Sequence, residues 1–198
     1  MNEAVTTEPG LIPSGTDPYD IALLQGIAAR QDSAMAEFYR RFQARVFRFA
    51  HTRVNDYFAA ADILNEVMLE VWRVAGTYES RARVTTWLFS ITHHKVVDYL
   101  RRNRRHTAEP LDFDLEDEAP AAQTEALISA ASDRQALQAA LLKLSAEHRE
   151  ILHLAFFEDM GYADIAHIVG VPEGTVKSRV FHARNQLKQA LANTVVRP

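Results

Sequence analysis

The chain has 198 residues, of which 47% are apolar and 24% charged, with no cysteine and a formal net charge of −4. That length admits one domain or two small ones, and the lack of cysteine excludes disulfides and thiolate metal sites. No apolar run approaches the roughly 20 residues that span a bilayer, and MNEAVTTEPGLIPSG has no basic stretch leading into an apolar one, so neither membrane insertion nor a secretory signal is expected. A cytoplasmic chain is the expectation. The charge is unevenly distributed: Lys and Arg against Asp and Glu give −3 over residues 1–19, +5 over 20–106, −8 over 107–133 and +2 over 134–198. Two basic segments separated by an acidic one are a more informative pattern than the total.

Residues 1–16 are rich in Thr, Pro, Gly and Glu without periodicity and are expected to be disordered. Asp17 or Asp20 can cap a first helix carrying Ile21, Leu23, Leu24 and Ile27, and Asp32 and Ser33 restart the pattern. Met35, Phe38, Tyr39, Phe42, Val46, Phe47 and Phe49 then recur at helical spacing as core, which leaves Arg40, Arg41, Arg45 and Arg48 as a solvated face. In residues 56–76, Ile63, Val67, Val71 and Val74 form a stripe, with Leu64, Met68 and Trp72 beside it. Asp62, Asn65, Glu66 and Glu70 share a polar region that periodicity alone reads as a solvated acidic face. Gly76 is expected to end this helix.

A polar loop, TYESRARVTTW, leads to Trp87 and a long helix through VVDYLRRNRR. Arg101, Arg102, Arg104 and Arg105 exceed what the negative end of a helix dipole calls for, so phosphate binding is expected. Aromatic rings beside such cations are the composition that holds single-stranded nucleic acid. His93 and His94 point to different sides of a helix and make a poor metal pair.

Residues 107–123 are acidic and contain two prolines, and are read as an exposed linker. A second domain follows with a helix around Thr124–Leu144. Ser145 caps the next helix, with Glu147 in its first turn and Ile151, Leu152, Leu154, Ala155 and Phe156 facing the core; Met160-Gly161 breaks it.

The stretch YADIAHIVGVPEGTVKSRVFHARNQLK reads as two helices and a tight turn. Ile165, Ala166 and Val169 form the inner stripe of the first, Gly170 supplies a left-handed stop, and Pro172 suits the start of the second. Val176, Val180 and Leu187 continue inward, which leaves Thr175, Lys177, Ser178, Arg179, His182 and Arg184 for other faces. A helix-turn-helix presents such a polar, cationic second helix to the DNA major groove. The fold class expected is all-α: two small helical domains joined by a flexible acidic linker, the second a four-helix unit containing the helix-turn-helix.

Three segments in this order, ADILNEVMLEVWR, TTWLFSITHHKVVDYLRRNRR and LSAEHREILHLAFFEDMGYADIAHIVGVPEGTVKSRVFHARNQLK, resemble those of extracytoplasmic-function sigma factors of the sigma-70 family. The resemblance implies region 2 at 17–106, the acidic linker at 107–123 and region 4 at 124–192. It implies that Asp62, Leu64, Asn65, Glu66, Met68, Leu69 and Glu70 meet core RNA polymerase at the beta-prime clamp helices, with a second contact to the beta subunit. Asn65 stands where the family more often has Gln. Tyr78, Ser80, Arg81, Arg83, Trp87, Lys95, Arg101, Arg102 and Asn103 would read and melt the −10 element. Thr175, Lys177, Ser178, Arg179, Phe181, His182 and Arg184 would meet the −35 element, with His182 where Arg is common.

A cognate anti-sigma factor is a further implied partner, alongside promoter DNA. No catalytic residue, cofactor or metal follows from the resemblance, and no membrane insertion. The rival reading from the residues is a free-standing helix-turn-helix regulator with an N-terminal sensory or dimerisation domain. A metal enzyme using His51, His93 or His94 with Asp62 or Glu66 has no ligand spacing such as HExxH behind it.

Overall fold

A computed structural model describes residues 16–106 and 137–195. The expected disordered tail through residue 15, the acidic linker at 107–123 and the start of the helix expected at Thr124 lie outside the described residues. What is described is helical, with no strand among these residues.

Asp17 starts α1 (Pro18–Ala28): its carboxylate accepts the Tyr19 N–H at 2.9 Å, and Pro18 takes the first helical position. Asp20 is buried instead of capping. Burial pushes its carboxyl up against the pull of Arg41, whose guanidinium lies 2.5 Å from it and 2.6 Å from Asp17. Arg41 is therefore tied down and is not part of a free solvated face. The helix α2 (Asp32–Val54) packs against α1 where Gly26 meets Ala34; a Cβ at Gly26 would come within 2.7 Å of the Ala34 methyl. Asn55 ends α2 in the left-handed conformation, and Asp56 caps α3 (Tyr57–Val74) by accepting the Ala59 N–H at 2.9 Å. A 3₁₀ turn, Ala75–Thr77, closes α3, so Gly76 does not act as the left-handed stop expected of it.

The fourth helix, α4 (Val84–His106), begins three residues before Trp87 because Val84 is itself buried and the Arg83 carbonyl accepts the Trp87 N–H at 3.0 Å. Leu24, Ile27, Phe38, Phe42, Val46, Ile63, Val67, Val71 and Leu88 fill the core between these four helices. The Phe38 and Phe42 rings pack at 4.5 Å.

The second domain opens on α5, described over residues 137–142. Leu144 then lies in a turn, its N–H on the Leu141 carbonyl, and not in the helix expected to reach it. Ser145 caps α6 (Ala146–Leu152) by accepting the His148 N–H, as its position in the sequence implies. A π-helical turn, His153–Phe157, follows, in which the Glu158 N–H reaches the His153 carbonyl at 3.2 Å. The extra residue in this turn rotates the chain. His153, Leu154 and Glu158 face inward, whereas Phe156, expected in the core, is exposed with Phe157.

The pair α7 (Tyr162–Val169) and α8 (Glu173–Val195) forms the helix-turn-helix, with Gly170 between them at φ 69°. Ile165 and Ile168 are the buried pair of α7, while Ala166 and Val169 are only half-buried. Val176, Val180, Ala183 and Ala190 form the inner edge of α8.

The two domains are packed together. Phe49 of α2 and Phe89 of α4 are both fully buried, in the same cluster as Ile151, Leu154, Met160, Ile165, Ile168, Val176 and Val180.

Candidate nucleic-acid and partner interfaces

Helix α3 turns one edge outward. Asp62, Asn65 and Leu69 are exposed, and Leu69, at 69%, is the most exposed large apolar residue among those described. Leu64 and Met68, expected beside it as anchors, are 8% and 4% exposed and belong to the core, a correction that follows from their places next to Val67 and Val71. Met68 still contributes to the floor of an apolar groove of about 690 Å³ between α2 and α3, walled by Met35, Ala36, Tyr39 and Trp72 and rimmed by Asn65 and Leu69. Helical spacing marked Met35 and Tyr39 as core; their outward edges form this groove, which periodicity does not resolve.

Glu66 and Glu70 are half-buried and engaged with cations. Arg73 bonds Glu70 at 2.6 Å and, with Lys95 at 3.4 Å, holds its carboxyl below the usual range. Glu66 faces Arg102 at 3.6 Å and Lys95 at 3.9 Å. The acidic face of α3 and the basic face of α4 thus partly neutralise each other.

The segment before α4 is braced by aromatic rings. The Tyr78 hydroxyl donates to the Ala82 carbonyl at 2.7 Å, its ring meets Trp87 edge-on at 5.7 Å, and burial pushes its phenol up. Ser80 takes a positive φ of 55°, a conformation that turns the loop sharply. Arg81 is exposed beside Glu79, at 2.8 Å. Arg83 is occupied: it donates to Asp164 of α7 at 2.8 Å, and the Thr86 hydroxyl donates to the same carboxylate at 3.1 Å. Lys95 points at α3. Toward the end of α4, Arg101, Arg102 and Asn103 are exposed; Arg101 pairs with Asp98 at 3.0 Å, and Asn103 donates to the Tyr99 hydroxyl at 2.8 Å. The side chains of Arg104 and Arg105 lie outside the described residues.

In α8, the face opposite Val176, Val180 and Ala183 carries Lys177, Ser178, Phe181, His182 and Arg184, all exposed, with Thr175 and Arg179 half-buried at its edge. Lys177 pairs with Glu173 at 2.9 Å, and Ser178 donates to the Thr175 carbonyl at 3.0 Å. Phe181 stands edge-on to His182 at 5.6 Å, and Arg184 lies over the Phe156 ring at 5.9 Å. This face of α8 is cationic and aromatic, and suits phosphates and base edges.

Ion pairs cross between the domains. Glu150 receives Arg53 at 3.1 Å and His93 at 2.6 Å. Glu158, with its side chain fully buried, accepts Nε and Nη2 of Arg45 at 2.8 and 2.5 Å. Arg149 donates to the Thr52 carbonyl at 2.9 Å. The sequence leaves Arg45 on a solvated face and gives His93 no partner; the tertiary arrangement supplies both. His94 contacts the Ser90 carbonyl at 2.6 Å, so the two adjacent histidines take different partners although their rings meet edge-on at 5.9 Å. Among the described residues no cluster of His, Asp and Glu is arranged to hold a metal.

Residues 38–106 match Sigma-70 region 2, and residues 134–187 match Sigma-70, region 4. The chain is 31% identical over 173 residues to the ECF RNA polymerase sigma factor SigL of Mycobacterium tuberculosis, covering 86% of this chain and 96% of that one. Identity to SigM of the same organism is 34% over 172 residues, covering 87% and 84%. The solved structure of RpoE in complex with the anti-sigma factor NepR, from Bartonella quintana, superposes with a TM-score of 0.66 at 25% identity, covering 79% of this chain and 96% of that one. CnrH, solved with the cytosolic domain of CnrY, shares the fold at a TM-score of 0.61 and 18% identity, covering 88% and 98%. The chain belongs to the sigma-70 family, within its ECF RNA polymerase sigma factors. It is an alternative sigma factor, directing promoter-specific transcription initiation.

Proposed function

We propose that the outer edge of α3 is the docking face for core RNA polymerase. The observation that carries this is Leu69, exposed over an apolar groove and flanked by Asp62 and Asn65. Interfaces draw most of their energy from a few apolar anchors seated in pockets, with charges at the rim. The beta-prime clamp helices are the partner of this edge, and the beta subunit meets region 4.

Residues 17–106 act as region 2 and residues 124–192 as region 4, tethered through 107–123. Tyr78, Ser80, Arg81, Arg83 and Trp87 hold an extruded base and the strand fork of the −10 element. Extrusion costs a few kcal/mol of stacking, which a shaped, cationic pocket offsets. Arg101, Arg102 and Asn103 hold the adjoining phosphates, and Lys177, Ser178, Arg179, His182 and Arg184 meet the −35 element. Two weak readers on one polymerase give a useful joint affinity. The work is binding, with no reaction catalysed by the chain, and its place is with the polymerase in the cytoplasm. An anti-sigma factor is the expected regulator, by analogy with RpoE, which was solved with NepR.

The test is reconstituted transcription: core enzyme with this chain initiates at discrete promoters, and core enzyme alone does not. Promoter binding that needs no polymerase would instead favour a free-standing regulator.

A further inference from the structure

Helix α1 carries none of the side chains assigned above to DNA, yet it walls a pocket together with the loop that does. A cavity of about 130 Å³ opens between α1, the 3₁₀ turn at Ala75–Thr77 and the segment that follows it. Ile21, Leu24 and Ala28 give it an apolar wall from α1, and the loop contributes Tyr78 and Ser80. Arg83 and Trp87 do not line it, so it lies apart from the place where Tyr78 and Trp87 meet edge-on. Its one amide is that of Gln25. Gln25 is exposed, and its side chain makes no hydrogen bond among the described residues. Gly76 leaves part of the rim without a side chain: a Cβ there would approach only the Ala28 methyl, at 3.8 Å.

Size and lining together define the ligand. The cavity is well below the ~300–1,000 Å³ of a site for a drug-sized molecule, so it takes one ring system and not a whole nucleotide. Aliphatic side chains and a tyrosine ring hold a flat heterocycle by its faces. An amide offers a donor and an acceptor side by side to its edge. We propose that this pocket seats a second unstacked nucleobase of the −10 strand, separate from the one gripped at Tyr78 and Trp87, and that Gln25 reads its edge. The proposal rests on the assignment of the 78–87 segment as a nucleic-acid reader. Adenine is the base that a glutamine amide grips with both of its polar atoms, and a good pair of this kind discriminates against other bases by roughly tenfold or more. Gln25 is thus a specificity-determining residue on a helix that otherwise serves the core.

The experiment uses core polymerase with the full chain and a fluorescein-labelled fork-junction DNA from a promoter at which the parent initiates. A tetrahydrofuran abasic site replaces each non-template base of the −10 element in turn, and binding is read by anisotropy. The variants are Gln25→Leu, Gly76→Ala and Trp87→Leu. Gln25 is exposed, and Gly76 has no positive φ and only an ordinary contact for the added methyl, so neither change disturbs the fold. Unchanged thermal denaturation checks this. One abasic position should cost the parent about tenfold and cost Gln25→Leu and Gly76→Ala nothing further, while Trp87→Leu keeps the penalty. At that position the parent should prefer adenine, and Gln25→Leu should bind all four bases alike. A purely structural role for Gln25 would weaken binding equally at every position. The pocket is overturned as a base site if no abasic penalty disappears in both variants, or if the position they share is the one that depends on Trp87. A parent that gives no promoter-specific start removes the −10 reading itself, whereas promoter-specific starts with abasic penalties unchanged by either variant remove the pocket alone.

Discussion

Leu64 and Leu69 lie five residues apart on α3 and have opposite roles. Leu64 is 8% exposed in the N-terminal core and Leu69 is 69% exposed at the groove. Leu64→Ala should therefore cost about 2–5 kcal/mol of stability, read by urea denaturation, through lost burial and the cavity left behind. Leu69→Ala should leave stability within about 0.5 kcal/mol and weaken polymerase binding roughly tenfold, read by titration of labelled protein with core enzyme. Helical spacing already separates them: five residues are about 140° apart, which sets Leu69 with Asp62 and Asn65, away from Ile63, Val67 and Val71. How completely Leu64 and Met68, at the edge of that stripe, are covered depends on where α2 and α4 lie. Lys95 depends on the tertiary arrangement more fully: the fold sets Glu66 and Glu70 of α3 beside it, at 3.9 and 3.4 Å, and no local pattern shows these neighbours.

At the scale of elements, the boundaries follow local chemistry closely. Asp17, Asp56 and Ser145 each accept a backbone N–H at a helix start, and Gly170 stops α7 in the left-handed conformation. Gly170 and Gly174 form a matched pair for testing the turn. An added Cβ meets nothing within 4 Å at either, but only Gly170 has a positive φ. Gly170→Ala should cost about 1–2 kcal/mol by forcing an L-residue into the left-handed region, whereas Gly174→Ala, inside α8, should stabilise by about 0.5–1 kcal/mol. Thermal denaturation of the two variants gives shifts of opposite sign. The π-helical turn at His153–Phe157 was not legible in this way. One extra residue in a helix leaves no mark in a local apolar pattern, yet it turns Phe156 out and brings Glu158 to Arg45.

Over the whole molecule, the packing of one domain into the other carries the largest consequence. Phe89 belongs by sequence to the N-terminal domain and by burial to the C-terminal core. Phe89→Ala should cost about 3–5 kcal/mol. It should also speed amide exchange in α7, around Ile165 and Ile168, more than in α1, read by hydrogen-exchange mass spectrometry. If exchange rises only around α1 to α3, Phe89 does not couple the domains.

The sequence by itself determined the helices, the helix-turn-helix, the all-α class and, through three ordered segments, the family. Those features depend on neighbours within a few residues along the chain: caps, apolar period and turn glycines. Only the tertiary structure decided which side chains remain available to a partner. Arg45, Arg83 and His93 meet partners that lie 113, 81 and 57 residues away. Charge pairing at such separations depends on how whole domains dock, and no local pattern encodes it.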